Sequence, residues 1–271
     1  MTQRALDFIP IPERSRKPRT RGLTLARDYG IGFRQAQDWM ESVGEFIDYI
    51  KMRHLFTLLA PLDAEHLMMR KIRLYREHQV EVNPGGTVFE LAWLNKQVER
   101  CFATLAQLGF TAVECSENMI PLSPAEKVAS VKAAKAEGLK VMFEVGEKYP
   151  TGALDVDMVV RDMDALKEAG CDLGVLEKSL MEQCLGPQAD RPEAEKLVQI
   201  AERVGLDFVV FEAESVIHHG WLFRTFGPDA SLGPNLEPEY IAKLEATRRT
   251  LSREGGYTFL SDQVQAMAIK H

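Results

Sequence analysis

The chain has 271 residues, a net charge of −7, and 45% hydrophobic against 27% charged residues. That balance fits one continuous folded core and argues against a nucleic-acid-binding domain, which would be basic. No run of 18 or more apolar residues occurs, which argues against a membrane-spanning helix. The first residues lack the apolar core of a secretion signal. The four cysteines, Cys101, Cys115, Cys171 and Cys184, make no CxxC pair and have no histidine cluster beside them. A zinc site is therefore not expected, and reduced thiols in a cytoplasmic protein are.

Taken in chain order, residues 1–19 carry Pro10, Pro12 and Pro18 and little periodicity, and are expected to form an extended basic arm. Between Arg14 and Arg27 lie six cations and no acid. Such a stretch is a solvated arm, a contact to another subunit, or an aid to attracting an anionic substrate. Short apolar runs then alternate with longer amphipathic segments. The runs are 22–28, 46–52, 80–83, 112–116, 140–145, 173–177, 208–212 and 230–233. Helical spacing predicts helices over 33–43, 65–78, 89–108, 125–137, 156–168, 192–204, 216–226 and 238–252. Gly109, Gly138, Gly170 and Gly205 stand where left-handed helix C-caps want glycine, and Ser123-Pro124 opens a helix. Eight strand-then-helix units predict a single-domain α/β fold, a (β/α)8 barrel of the TIM type over 20–253 with a tail at 254–271. The alternative, an open doubly wound sheet, would show GxGxxG after its first strand. Asp28-Tyr29-Gly30-Ile31-Gly32-Phe33 lacks the third glycine.

Strand side chains alternate between faces. On that count Asp28, Lys51, Glu114, Glu144, Glu177 and Glu212 are expected to point into the mouth of the barrel, where such folds place their active sites. A lone strand-end glutamate is as readily a solvated rim residue or a cap partner. Several together repel and raise one another's pKa unless a cation sits among them. Oxygen donors without cysteine or paired histidine suit Mg²⁺. Pro84-Gly85-Gly86-Thr87, between a strand and a helix, is either a plain loop or a place where backbone N–H groups meet an anion. Lys148 in Gly146-Glu147-Lys148 is either a surface lysine or a group that neutralises an anion or protonates a carbanion.

These stretches together resemble the phosphosulfolactate synthase family. The likeness runs through Arg21-Gly22-Leu23-Thr24 with Asp28, Ile47 to Lys51, and Asn83-Pro84-Gly85-Gly86-Thr87-Val88-Phe89-Glu90. It continues through Leu108 to Glu114, Glu144 to Lys148, Phe211-Glu212-Ala213 and Leu244 to Arg249. The resemblance implies a Mg²⁺-dependent barrel lyase that adds sulfite to the methylene carbon of phosphoenolpyruvate, on the route to coenzyme M. It implies Lys148 as the general acid, with Glu144 and Lys51 beside it in catalysis. Glu114, Glu144, Glu177 and Glu212 are the expected Mg²⁺ ligands. Thr24, Asp28, Lys51, Gly85, Gly86, Thr87 and Ser116 are the expected binding residues for anionic substrates; Arg53 and Lys178, in loops that depart from the family, are expected to compensate for its missing cations, and His218 there is either a substrate-binding or acid–base group or a histidine lining a loop. A homo-oligomer is also implied.

The sequence departs from the family pattern in its loops. Arg53-His54-Leu55-Phe56-Thr57 replaces a Gly-Trp-Gly-Thr-Ser-like stretch, and Ser116-Glu117-Asn118 replaces Ser-Asp-Gly. Glu177-Lys178-Ser179 replaces Glu-Gly-Arg, Glu214 and Val216 replace a proline and a lysine, and His218-His219 replaces two glutamines. Glu147 stands at a lysine-like position. Three functions remain in view: the synthase with a rearranged anion pocket, a sister enzyme using Mg²⁺-assisted enolate chemistry with another substrate or nucleophile, and a non-catalytic binding or stress-associated barrel.

Overall fold

A computed structural model describes residues 4–146, 148–149 and 152–268. Eight parallel strands form one sheet: β1 (Thr24–Asp28), β2 (Tyr49–Met52), β3 (Glu81–Pro84), β4 (Ala112–Cys115), β5 (Lys140–Val145), β6 (Leu173–Leu176), β7 (Val209–Phe211) and β8 (Ser231–Leu236). Their order is β3-β2-β1-β8-β7-β6-β5-β4. The seam between β3 and β4 is closed where Thr111 N–H donates to the Val82 carbonyl at 3.0 Å and Val82 N–H donates to Thr111 Oγ1 at 2.9 Å. The fold is a single-domain (β/α)8 barrel.

The helices are α1 (Phe33–Val43), α2 (His54–Leu59), α3 (Leu67–Glu77), α4 (Thr87–Leu94), α5 (Val98–Gln107), α6 (Pro124–Ala136), α7 (Val156–Glu168), α8 (Lys178–Leu185), α9 (Ala194–Val204), α10 (Val216–Phe226), α11 (Ile241–Arg248) and α12 (Thr258–Ala268). Helix α6 opens at Ser123-Pro124 as expected, and the structure adds a capping box: Ser123 Oγ accepts from Glu126 N–H while the Glu126 carboxylate accepts from Ser123 N–H. The segment expected as one helix over 89–108 breaks into α4 and α5 at Lys96, whose φ of +56° cannot continue a right-handed helix. The strand expected to end at Gly233 runs on to Leu236.

Two apolar layers decide which way each strand faces. Leu23, Leu25, Tyr49, Ala112, Met142, Leu173, Val175 and Val210 form a separate cluster that fills the barrel. The alternating residues Ala26, Ile50, Val82, Val113, Phe143 and Phe211 join the larger core under the helices. In β1 the inward set is therefore Leu23, Leu25 and Arg27.

The basic arm straps the N-terminal end of the barrel. Arg14 pairs with Glu245 at 3.2 Å, Arg19 with Asp48 at 2.9 Å, and Lys17 Nζ donates to the Gly44 and His78 carbonyls. Asp48 also accepts from Thr24 N–H at 2.9 Å, tying arm to strand. The side chains of Arg14 and Arg19 are 3% and 2% exposed, so these cations are not solvated. They neutralise buried carboxylates of their own chain, at the end opposite the mouth.

Candidate active site

Each strand brings one inward side chain toward the C-terminal mouth: Arg27, Lys51, Asn83, Glu114, Glu144, Glu177, Glu212 and Asn235, the sixth and seventh standing one residue past their strands. All of these but Asn83 and Glu177 line a cavity of about 220 Å³, which Asp28, Tyr29, Arg53, Gly85, Gly86, Thr87 and Lys148 also reach.

The ring is divided by its contacts. Lys51 Nζ lies 3.3 and 3.2 Å from the two oxygens of Glu114, and Gly86 N–H donates to Glu114 Oε1 at 3.0 Å. Glu114 thus commits Oε1 to Lys51 and the Gly86 N–H, while its buried Oε2 has only the Lys51 ion pair and no hydrogen-bond partner among the described residues. Gly86 must be glycine by proximity, since a Cβ there would press on Ser116 and lie 3.2 Å from Glu114 Oε1. The other three glutamates converge. Glu144, Glu177 and Glu212 each present an oxygen, and these atoms lie within 4.8 Å of one another. Asn235 Nδ2 donates to Glu212 Oε1, Lys178 N–H donates to Glu212 Oε2 at 3.3 Å, and Ser179 N–H donates to Glu177 Oε2. Lys148 Nζ stands 3.6 Å from Glu177 Oε1.

Burial, reinforced by repulsion from Glu114 and Glu212, raises the Glu144 carboxyl to about 8. Burial likewise raises Glu212 to about 7, although Lys51 opposes the shift. For Lys148, burial pulls the pKa down, but the fields of Glu144, Glu177 and Glu212 outweigh it and leave the ammonium more basic than usual. Three buried carboxylates with one partly exposed lysine are short of positive charge. An all-oxygen donor set in that condition fits a hard divalent cation such as Mg²⁺.

Comparison with known proteins shows the family. The family model for (2R)-phospho-3-sulfolactate synthase (ComA) matches residues 12–254. The chain belongs to the phosphosulfolactate synthase family. It is 35% identical over 251 residues to the phosphosulfolactate synthase of Methanothermobacter thermautotrophicus, covering 91% of this chain and 95% of that protein. It is also similar, at 25% over 266 residues, to HEAT-STRESS-ASSOCIATED 32 of Arabidopsis thaliana, covering 87% and 88% of the two chains. Among solved structures, a putative fructose-1,6-biphosphate aldolase from Coccidioides immitis superposes with a TM-score of 0.54 at 12% identity, covering 86% of this chain and 82% of that one; this is a likeness of fold alone. The chain is therefore a lyase-family TIM barrel.

Within that family framework, the expected site residues divide. Lys51, Glu114, Glu144, Glu177, Glu212 and Lys148 gather at the mouth, and Arg53, Gly85, Gly86 and Thr87 line its cavity. Asp28 borders the cavity, but its buried carboxylate does not point into it. It faces the helix layer, accepting from Lys71 Nζ at 2.6 Å and Tyr75 OH at 2.7 Å, both on α3. Its neighbour Arg27 takes the inward place. Thr24 lies at the opposite end of β1, where Arg248 donates to its hydroxyl at 3.1 Å. Ser116 is fully buried, with its hydroxyl given to Glu90. Lys178 Nζ turns away from the ring to Glu214 at 2.7 Å. His218 Nε2 donates to the Gly186 carbonyl at 2.7 Å, and buried His219, donating to the Ala213 carbonyl, is pushed down to about 4 and stays neutral. Glu147 lies outside the described residues.

Four further residues stand at the site without having been expected there: Arg27, Asn83, Asn235 and Glu90. Glu90 on α4 gathers the loop after β4 by accepting from Asn118 N–H at 3.0 Å and Met119 N–H at 3.2 Å. The signal for Arg27 was its alternation with Asp28. For Asn235 there was none, because Pro234 reads as the end of a strand.

Proposed function

We propose that this chain catalyses the Mg²⁺-dependent addition of sulfite to the methylene carbon of phosphoenolpyruvate, as the family name suggests. The observation that carries the reading is the convergence of Glu144, Glu177 and Glu212 with Lys148 beside them. Glu144, Glu177 and Glu212 would hold Mg²⁺, and a cation there would supply positive charge where the substrate carboxylate gains negative charge. The sulfite lone pair forms the new C–S bond at C3. The electrons of the C2–C3 double bond move to C2 and the attached carboxylate. Lys148 then delivers a proton to C2, and the phosphate ester is left intact. The neighbouring carboxylates keep the Lys148 ammonium protonated at neutral pH, the state a general acid needs. Lys51 is fixed by Glu114 and gives the anionic substrate a second cation.

One observation favours a second reading, a sister enzyme with another nucleophile. Lys178, a cation that could have received the second anion, is neutralised by Glu214 instead. A non-catalytic barrel is disfavoured, since mutually repelling buried carboxylates lower stability and a binding role gives no reason to keep them.

The test is to mix the protein with phosphoenolpyruvate, Mg²⁺ and sulfite and to follow phosphosulfolactate by mass spectrometry. Product that disappears with Lys148→Ala supports the synthase. No product, despite Mg²⁺ binding, transfers the argument to another nucleophile.

A further inference from the structure

The charges of the mouth are separated in space, and the separation orients a substrate. The carboxylate trio belongs to the β5–β7 side, whereas Lys51 and Arg53 belong to the β2 edge. Parallel barrels often bind phosphate at the loops after their seventh and eighth strands. Here that edge is acidic, because Glu214 follows β7 and Glu237 follows β8. Its cations are already committed: Arg27 lies 2.7 Å from Glu237 and 3.7 Å from Glu214, and Lys178 lies 2.7 Å from Glu214. A phosphate there would meet carboxylates as readily as cations.

The β2 edge is different. Among the described residues, the Arg53 guanidinium has no ion-pair partner. It lies 5.4 Å from the centre of the Tyr29 ring, the same ring that Arg27 approaches at 4.2 Å. Phe56 on α2 packs against Gly30 so closely that no Cβ would fit there, which fixes α2 over the β1 loop and places Arg53 at the rim. Lys51 adds a second cation on the same edge; its direct ion pair is with Glu114, and its field reaches Glu212 and Glu144.

We infer that the β1–β2 edge is the phosphate subsite, with Arg53 and Lys51 as its cations and Tyr29 as the positioning residue that holds the Arg53 guanidinium. This rests on the proposed function, because the ligand is a phosphorylated enol carboxylate. Its carboxylate faces the trio and its phosphate faces Arg53. Guanidinium suits a phosphate monoester, whose oxygens match its donor fork.

Calorimetry in the presence of Mg²⁺ tests this with two probes: phosphoenolpyruvate, which has both ends, and oxalate, which has only the carboxylate end. Arg53→Gln should weaken phosphoenolpyruvate binding by about ten- to a hundredfold, the worth of a charged hydrogen-bonded contact, and leave oxalate unchanged. Tyr29→Ala should weaken phosphoenolpyruvate selectively, and Tyr29→Phe, which keeps the ring, should restore it. Glu237→Gln should leave the preference between the two probes as it was. An equal effect of Arg53→Gln on both probes, or none on either, would overturn the subsite. So would Glu237→Gln selectively tightening phosphoenolpyruvate, since the phosphate would then lie at the β7–β8 edge. Wild-type protein that binds oxalate but not phosphoenolpyruvate would also overturn it. Binding of neither probe would sink the functional reading first, and the subsite with it.

Discussion

Glu144→Gln should make the metal-free protein more stable, and only at high pH. A carboxyl raised from 4.5 to about 8 by burial and by its neighbours carries a charging cost that approaches about 5 kcal/mol at pH 8, at about 1.4 kcal/mol for each pH unit of displacement. The cost is shared with Glu212, itself raised to about 7, because the cluster relieves itself by retaining a proton on one member or the other. The net gain expected from the neutral amide is therefore about 2 kcal/mol. The sign follows from linkage. The folded state binds this proton more tightly than the unfolded one, so the cost is absent below about pH 4.5 and grows as the pH rises toward about 8. Thermal melts in excess chelator should show Glu144→Gln above wild type by about 4–8 °C at pH 8, with the difference shrinking at pH 5. Added Mg²⁺ should raise the wild type and leave the variant nearly unmoved. A variant no more stable than wild type at pH 8, or equally stabilised at both pH values, would refute the reasoning.

Other perturbations follow from the same geometry. Lys148→Ala should lower turnover by about a hundred- to ten-thousandfold, the usual worth of a general acid. Circular dichroism should be unchanged, because the side chain is 45% exposed; residual activity near wild type would remove Lys148 from the reaction. Gly86→Ala should cost about 1–3 kcal/mol through overpacking, read as a lower denaturation midpoint, and should raise KM by displacing Glu114 and with it Lys51. Arg19→Ala should destabilise the fold by about 3 kcal/mol, since it leaves buried Asp48 without its cation. Activity per folded molecule should persist, because that pair lies at the far end of the barrel.

Much of this was legible in the sequence. All eight strands fall within three residues of the apolar runs, because parallel strands buried on both faces read as continuous hydrophobic segments. That same double burial hid the direction of β1. Thr24, Ala26 and Asp28 share one face and Leu23, Leu25 and Arg27 the other, and alternation alone does not say which is inside. Only Tyr49 and Val210, packed with Leu25 inside the barrel, settle it. In the later strands the small or unbranched inward residues Ala112 and Met142 alternate with larger outward ones, and the inward direction of Glu114 and Glu144 was readable. Helices α2 and α8 went unread because six and eight residues are too few to show a period, and the segment expected as a tail at 254–271 contains a third unread helix, α12. What the strand-end carboxylates would do was not legible at all. Glu114 and Glu144 look alike in sequence, yet Lys51 and the Gly86 N–H claim the first and leave the second facing Glu177 and Glu212.

The division of the glutamates into a metal-holding trio and a lysine-holding fourth can be measured by Mg²⁺ titration calorimetry at pH 8. Wild type should bind one Mg²⁺ per chain, Glu144→Gln, Glu177→Gln and Glu212→Gln should lose binding, and Glu114→Gln should retain it. Loss in Glu114→Gln equal to that in the other three, or no Mg²⁺ bound by the wild type, would contradict that division.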